Sequence, residues 1–214
     1  MLKQGVLTVI SGFAGAGKGT IVKALLEKYP EDYRLSISAT TRNPRPGEQD
    51  GRESFFRTRK EFEELIQNGG FIEWAEYVGN YYGTPRAYVE EQLAAGNNII
   101  LEIERQGAFH VRELYPSAVL LFVTPPSVEI LEKRLIGRGT ETMEIVKKRM
   151  RKAAEESTFM KDYNYVIVNE DVEEAVERVH ELIQGYRNGI LPAEANASQK
   201  ELIEQIQKEF EDYK

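Results

Sequence analysis

The run Gly12 to Thr20, GFAGAGKGT, leaves this chain few folds to choose from. It follows the apolar stretch VLTVIS and opens a helical pattern, which is the strand, loop and helix order of a phosphate-binding loop with complete GxxxxGK spacing. Gly12, Gly15 and Gly17 permit backbone angles and close approaches that a side chain would block. Successive N–H groups can then turn toward phosphate oxygens at a helix N-terminus, with Lys18 adding a point charge. Gly12, Phe13, Ala14, Gly15, Ala16, Gly17, Lys18, Gly19 and Thr20 are therefore expected to cradle a nucleoside triphosphate. Gly19 stands where a hydroxyl residue is usual, which moves the hydroxyl near a metal to Thr20.

Strand-like runs at Val6–Ser11, Leu35–Ser38, Asn98–Ile103, Ala118–Thr124 and Tyr165–Val168 alternate with helical patterns. This alternation predicts an α/β fold with a parallel central sheet. IILEI and AVLLFV are apolar almost without break, as strands covered on both faces are, and a ligand crevice is expected at the carboxyl ends of such strands. Glu102 sits at one of those ends, where a carboxylate can hold magnesium or its waters.

Two stretches break the alternation. Residues 39–87 read as an inserted small lobe containing a helix capped by Thr58 with Glu61. Residues 131–150 are helical and carry Arg134, Arg138 and Arg149 around a GRG hinge, which fits either a mobile lid or a solvated basic face. After RNGILPAEANAS, read as a linker, a last helix capped by Ser198 carries an apolar stripe of Leu202, Ile203, Ile206, Phe210 and Tyr213. Docking on the core or on a second subunit is expected of it, the latter giving a homo-oligomer. The expected organisation is a core of 1–38, 88–130 and 151–187, a lobe of 39–87, a lid of 131–150, and a linker with C-terminal amphipathic helix in 188–214.

Composition narrows the chemistry. The 214 residues include no cysteine, which excludes disulfides, thiol nucleophiles and cysteine zinc sites, and His110 and His180 are too few for a histidine metal cluster. A net charge of −7 argues against a protein held on nucleic acid by bulk electrostatics. The N-terminus lacks signal-peptide features and no apolar run has membrane length, so a cytoplasmic protein without nucleic-acid or membrane partners is expected. Asn196-Ala197-Ser198 matches a glycosylation acceptor only by chance on this reading.

In SATTRNPRPGEQDG, Arg42 and Arg45 lie three apart around Pro44 in an extended or turning stretch. Two guanidinium forks there can converge on one phosphate, although an ordinary exposed loop could have the same composition. The phosphate loop, SATTRNPRPGE, FIEWAEYVGNYYGTP, ILEIERQGA, TPPSVEILEKRLIGRGTET and VIVNED follow one another from about Gly5 to Gln184. In these motifs and their order the chain resembles the guanylate kinase family, which transfers the terminal phosphate of ATP to GMP.

The resemblance implies the three-layer P-loop fold of nucleoside monophosphate kinases, with magnesium as cofactor, the inserted lobe on GMP and the arginine-bearing helices as a lid over ATP. By position, Ser38, Arg42, Arg45, Tyr82 and Thr84 would surround GMP, and Glu73 would read guanine. That fits the chemistry, because guanine offers N1–H and its N2 amino group as neighbouring donors to one ionised carboxylate. Glu104 would sit beside base and metal, Arg134, Arg138 and Arg149 on the transferring phosphates, and Asn169 near the ATP base. Trp74, Tyr77 and Tyr81 are expected only to pack the lobe.

Four positions depart from the family: Phe13 and Ala14 stand for Pro and Ser, Ser54 for Tyr, and Glu104 for Asp. The phenol missing at Ser54 would reach the GMP phosphate, so weakened GMP binding is expected. Two other readings compete. A non-catalytic binding module of the same fold would have no need of GAGKGT, and a kinase for another nucleoside monophosphate would have no need of Glu73.

Overall fold

The computed structural model describes residues 4–77, 79–137, 142–190 and 197–213. In chain order the elements are β1 (Leu7–Gly12), α1 (Lys18–Lys28), β2 (Tyr33–Leu35), β3 (Ala39–Thr40), β4 (Phe55–Phe56), α2 (Arg59–Gln67), β5 (Phe71–Tyr77), β6 (Asn80–Pro85) and α3 (Arg86–Ala94). They continue with β7 (Asn98–Glu102), α4 (Arg105–Leu114), β8 (Val119–Thr124), α5 (Val128–Gly137), α6 (Met143–Ser157), β9 (Tyr165–Val168), α7 (Val172–Arg187) and α8 (Ala197–Glu209), which ends in a 3-10 turn, Phe210–Tyr213.

Five strands form a parallel sheet in the order β2-β7-β1-β8-β9. Every residue of β8 is buried, inward and outward alike, so helices must cover both faces of the sheet. Val9, Ile10, Ile99, Ile100, Leu120 and Leu121 make its centre. Ile10 pairs with Glu102, which brings the end of β7 beside the start of the phosphate loop.

A second sheet, β4-β3-β6-β5, is built between residues 39 and 85. It has its own small apolar cluster of Ala39, Phe62 and Phe71, with Phe62 stacked on Phe71 at 4.2 Å. Helix α2 closes that cluster and starts at the expected capping box. Thr58 Oγ1 accepts from Glu61 N–H at 3.2 Å, and the Glu61 carboxylate accepts from Thr58 N–H at 2.7 Å.

Two expectations change. The second strand of the main sheet is Tyr33–Leu35, just before the predicted Leu35–Ser38. Tyr33 is buried between α1 and α7, where its hydroxyl meets His180 Nδ1 at 2.8 Å, and this anchors the pairing of β2 with β7 early. Ser36 N–H bonds Ile100 O, and the chain then turns into the second sheet. Helix α8 begins at Ala197, so Ser198 lies in its first turn instead of capping it. Trp74, 46% exposed, packs edge-on against Tyr81 of the lobe, as expected of it. Tyr81 itself stacks on Phe62 as expected of lobe packing. Arg138, Gly139 and Asn196 lie outside the described residues, as do linker residues 191–196 and the side chain of Tyr77.

The stripe on α8 docks within the chain. Ile203, Ile206 and Phe210 are buried in the main core, with Leu202 and Tyr213 partly buried against it. Helices α5 and α6 contribute Leu131, Leu135, Val146 and Met150 to the same core. No described helix is long and apolar enough to cross a membrane.

Candidate active site

The loop after β1 owes its shape to its glycines. Gly15 and Gly17 have φ of 94° and 90°, and a Cβ on Gly17 would stand 2.2 Å from Asn169 Nδ2. Gly17 starts α1 without any side-chain cap, which leaves the first helical N–H groups directed at the loop's hollow. In this state Lys18 Nζ donates to Gly12 O at 2.8 Å and Phe13 O at 3.1 Å. Desolvation pushes its pKa down, while Glu102, Glu104 and Glu156 oppose that shift. An anion in the hollow would offer this ammonium a stronger partner than two neutral carbonyls.

Asn169 is buried and acts on the loop from behind. Its Nδ2 donates to Ala16 O at 2.7 Å and its N–H to Thr124 O. Arg134, on α5, donates to Asn169 O at 2.8 Å and reaches Ala16 O at 3.5 Å. Both side chains thus grip the loop backbone. Arg149 lies half-buried on α6. Phe13 is buried between Phe122 and Phe210, while Ala14 and Thr20 line the more open rim.

A cleft of about 1200 Å³ opens in front of the loop, between the two sheets, and its lining includes Lys18, Ser38, Glu73, Tyr82, Glu102 and Glu104. Glu102 opens on this cleft, yet the surrounding walls raise its carboxyl pKa, against the pull of Lys18. A Cβ on Gly19 would be 3.7 Å from the Glu102 oxygens, which puts this carboxylate over the first turn of α1. Among the described residues no three His, Cys, Asp or Glu side chains cluster to hold a metal. Oxygen ligation of a hard cation here would rest on one carboxylate, waters and ligand oxygens, which suits magnesium. Glu104 is exposed at the start of α4 and paired with Lys152 at 3.0 Å.

On the opposite wall Glu73 and Thr84 face each other across β5 and β6. Thr84, itself buried, donates its hydroxyl to Glu73 Oε1 at 2.6 Å. Desolvation raises the Glu73 pKa, and the Thr84 hydrogen bond holds it back. The other oxygen, Oε2, faces Gly107, where a Cβ would stand 3.2 Å away. A larger residue at 107 would crowd the carboxylate.

Arg42 is not solvated in a free loop. Glu48 accepts from its guanidinium at 3.0 and 3.2 Å and from Arg45 N–H at 2.7 Å, and these contacts raise the arginine pKa and lower that of Glu48. The turn Arg45–Glu48 is closed by Glu48 N–H to Arg45 O, with Gly47 at φ 87° as its third residue. The Arg45 side chain is exposed, so the two arginines share Glu48 through one guanidinium and one backbone N–H. Tyr82 lies beside Arg42. Ser38 O accepts from Phe55 N–H, which sets Ser54 at the margin of the same sheet, where its carbonyl accepts from Gly51 N–H.

Glu48, Gly107 and Lys152 were not singled out by sequence reasoning. For Glu48 the signal was present, an acidic residue closing PRPGE three places after Arg45. Gly107 and Lys152 become visible only once α4 and α6 have docked.

Residues 4–186 match the family model described as guanylate kinase. The guanylate kinase of Streptococcus thermophilus (strain CNRZ 1066) is 50% identical over 184 residues, covering 86% of this chain and 88% of that protein. That of Halalkalibacterium halodurans is 51% identical over 181 residues, covering 85% and 88%. Among solved structures, guanylate kinase from Anaplasma phagocytophilum superposes with a TM-score of 0.65 at 34% identity, covering 94% of this chain and 95% of that one.

Proposed function

The chain belongs to the guanylate kinase family, and on that footing we propose how its own residues divide the work of moving a phosphoryl group from ATP to GMP. It is an enzyme, a nucleotide kinase with ATP and GMP as substrates. The observation that carries the assignment of residues is a single cleft with Lys18 and Glu102 on one wall and Glu73 and Tyr82 on the other.

On this reading the loop Gly12–Thr20 takes the ATP phosphates, its backbone N–H groups and Lys18 meeting the β and γ oxygens. Lys18 leaves the carbonyls of Gly12 and Phe13 as it does so. Asn169 and Arg134 keep the loop in shape through Ala16 O, while Arg149 and Arg138 supply positive charge from the segment 131–150. GMP lies in the lobe of residues 39–87. Its phosphate meets Arg42, Arg45 and Tyr82, with Glu48 keeping Arg42 aimed until the phosphate arrives, and Ser54 marks the rim of that pocket. Its guanine meets Glu73, with Ser38, Thr84 and Glu104 around it.

Glu73 selects guanine because its ionised carboxylate accepts both N1–H and the N2 amino group. A base without that donor pair leaves a desolvated carboxylate unpaired, which gives strong discrimination. Magnesium, held by Glu102 and Thr20 directly or through water, would neutralise charge on the β and γ phosphates. The protein's remaining task is alignment: the acceptor phosphate in line with the γ-phosphate, and water shut out as lobe and lid approach each other.

A coupled ADP-release assay with GMP, AMP, CMP or UMP as acceptor tests the reading. Turnover that requires GMP supports it, with little ATP hydrolysis when GMP is omitted. Turnover with AMP or a pyrimidine nucleotide instead would overturn the role of Glu73, and silence with every acceptor would restore the binding-module alternative.

A further inference from the structure

The family match ends at residue 186, and α8 with its terminal turn lies beyond it. This segment nevertheless touches the phosphate loop. Phe210, fully buried, meets the Phe13 ring edge-on with centroids 5.4 Å apart, and Phe13 meets Phe122 in the same manner at 4.9 Å. The backbone carbonyl of Phe13 is one of the two that hold Lys18, and it also accepts Ala16 N–H at 3.0 Å. The ring that Phe210 fixes therefore belongs to the residue whose carbonyl organises the loop.

A second path runs through α5. Glu209 Oε2 accepts from Val128 N–H at 2.8 Å, satisfying one of the orphan donors at the start of α5 and placing a negative charge at its positive end. About one turn further on, Tyr213 donates its hydroxyl to Glu132 on the same helix. Arg134 of that helix grips Ala16 O and Asn169 O. Gln207 ties α8 to α6 through Ser157 O. Both paths end on the backbone of residues 13–16.

We propose that Phe210 and Glu209 are positioning residues for ATP: the C-terminal helix braces the phosphate loop through Phe13 and through the start of α5, and so sets ATP affinity without touching the nucleotide. The inference rests on the kinase reading of the loop. The Phe13 ring is held by packing alone, with Phe122 on one side and a partner needed on the other. Phe210 is that partner. The GMP pocket, formed by β3 to β6 together with Ser38 and Glu104, has no part in either path, so the effect should fall on one substrate.

The test uses the full chain and its Phe13→Leu, Phe210→Leu, double Leu, Glu209→Ala and Glu209→Gln variants, with KM for ATP and for GMP measured separately. Binding of a non-hydrolysable ATP analogue is followed by calorimetry. Phe210→Leu and Phe13→Leu should each raise KM for ATP and weaken the analogue by roughly three- to tenfold, the span of an aromatic pair's coupling, and leave KM for GMP within about twofold. The double variant should be little worse than either single one, because the two rings act as one unit. Glu209→Ala should move KM for ATP in the same direction, and Glu209→Gln, which keeps an oxygen acceptor for Val128 N–H, should recover most of it.

Unchanged ATP parameters in Phe210→Leu and Glu209→Ala, even with a lowered melting temperature, would reduce α8 to a stabilising helix and overturn the proposal. So would equal rises in both KM values. An unmodified chain that binds the analogue but phosphorylates no GMP would sink the kinase reading instead, and leave the brace to be judged on analogue binding alone.

Discussion

Glu73→Gln separates reading guanine from supporting the fold, because its two consequences have opposite signs. Thr84 donates to Glu73 Oε1 at 2.6 Å, so in the variant the hydroxyl selects the amide oxygen for that place and the amide nitrogen must take the position of Oε2, facing the cleft. Guanine's donor pair then meets a donor. One hydrogen bond to a charged group is lost, about 1.5–3 kcal/mol, and a desolvated donor is left unpaired, about 1–3 kcal/mol. Together these predict a fall in kcat/KM for GMP of roughly 10²- to 10⁴-fold. Stability should move the other way. Desolvation raises the Glu73 pKa above its unfolded value, so the folded state holds the proton to higher pH, and stability is lost as pH rises from the ordinary carboxylate value through the raised one. At any pH above the raised value the unmodified chain carries that whole cost. Glutamine does not, and its melting temperature at pH 7 should equal or exceed that of the unmodified chain, with the difference closing in acid. Steady-state kinetics at varied GMP and scanning calorimetry measure both. A kinetic loss under tenfold, or a large loss together with a lower melting temperature, would refute the guanine-reading role of Glu73.

Thr84→Val removes the hydrogen bond that favours ionised Glu73, so its carboxyl should titrate still higher and GMP binding should fail at a higher pH than in the unmodified chain; KM for GMP followed from about pH 5 to 8 checks this, and coincident profiles would count against it. Gly17→Ala forces a side chain into a backbone with φ 90° and a Cβ to 2.2 Å from Asn169 Nδ2, costing about 1–2 kcal/mol from the backbone alone and raising KM for ATP. Adding Asn169→Ala should recover part of the clash penalty in a melting-temperature cycle, and strictly additive losses would show that the clash is relieved elsewhere. Ser54→Tyr should lower KM for GMP by roughly tenfold or more, the worth of one hydrogen bond to a phosphate. An unchanged or higher KM would mean that the turn around Glu48 already supplies what the phenol would.

The sequence alone determined the parallel α/β core and the phosphate loop, since both rest on short-range physics. Continuous apolar runs make doubly covered strands, and glycines at fixed spacing make a loop that no other residue type fits, as the crowding at Gly12 and Gly17 bears out. The capping box at Thr58 and Glu61 was legible for the same reason, because all its atoms lie within one turn. Local pattern misplaced β2, whose limits are set by the contact of Tyr33 with His180 from a helix near the end of the chain. Only the tertiary structure decided that Asn169 and Arg134 hold the loop's backbone and that Glu48 occupies Arg42. The same holds for the stripe on α8, which spacing marked as apolar but could not direct to a target. Its burial against Phe13 joins residues almost two hundred positions apart, and such contacts follow from how the helices pack over the sheet, which no local periodicity records.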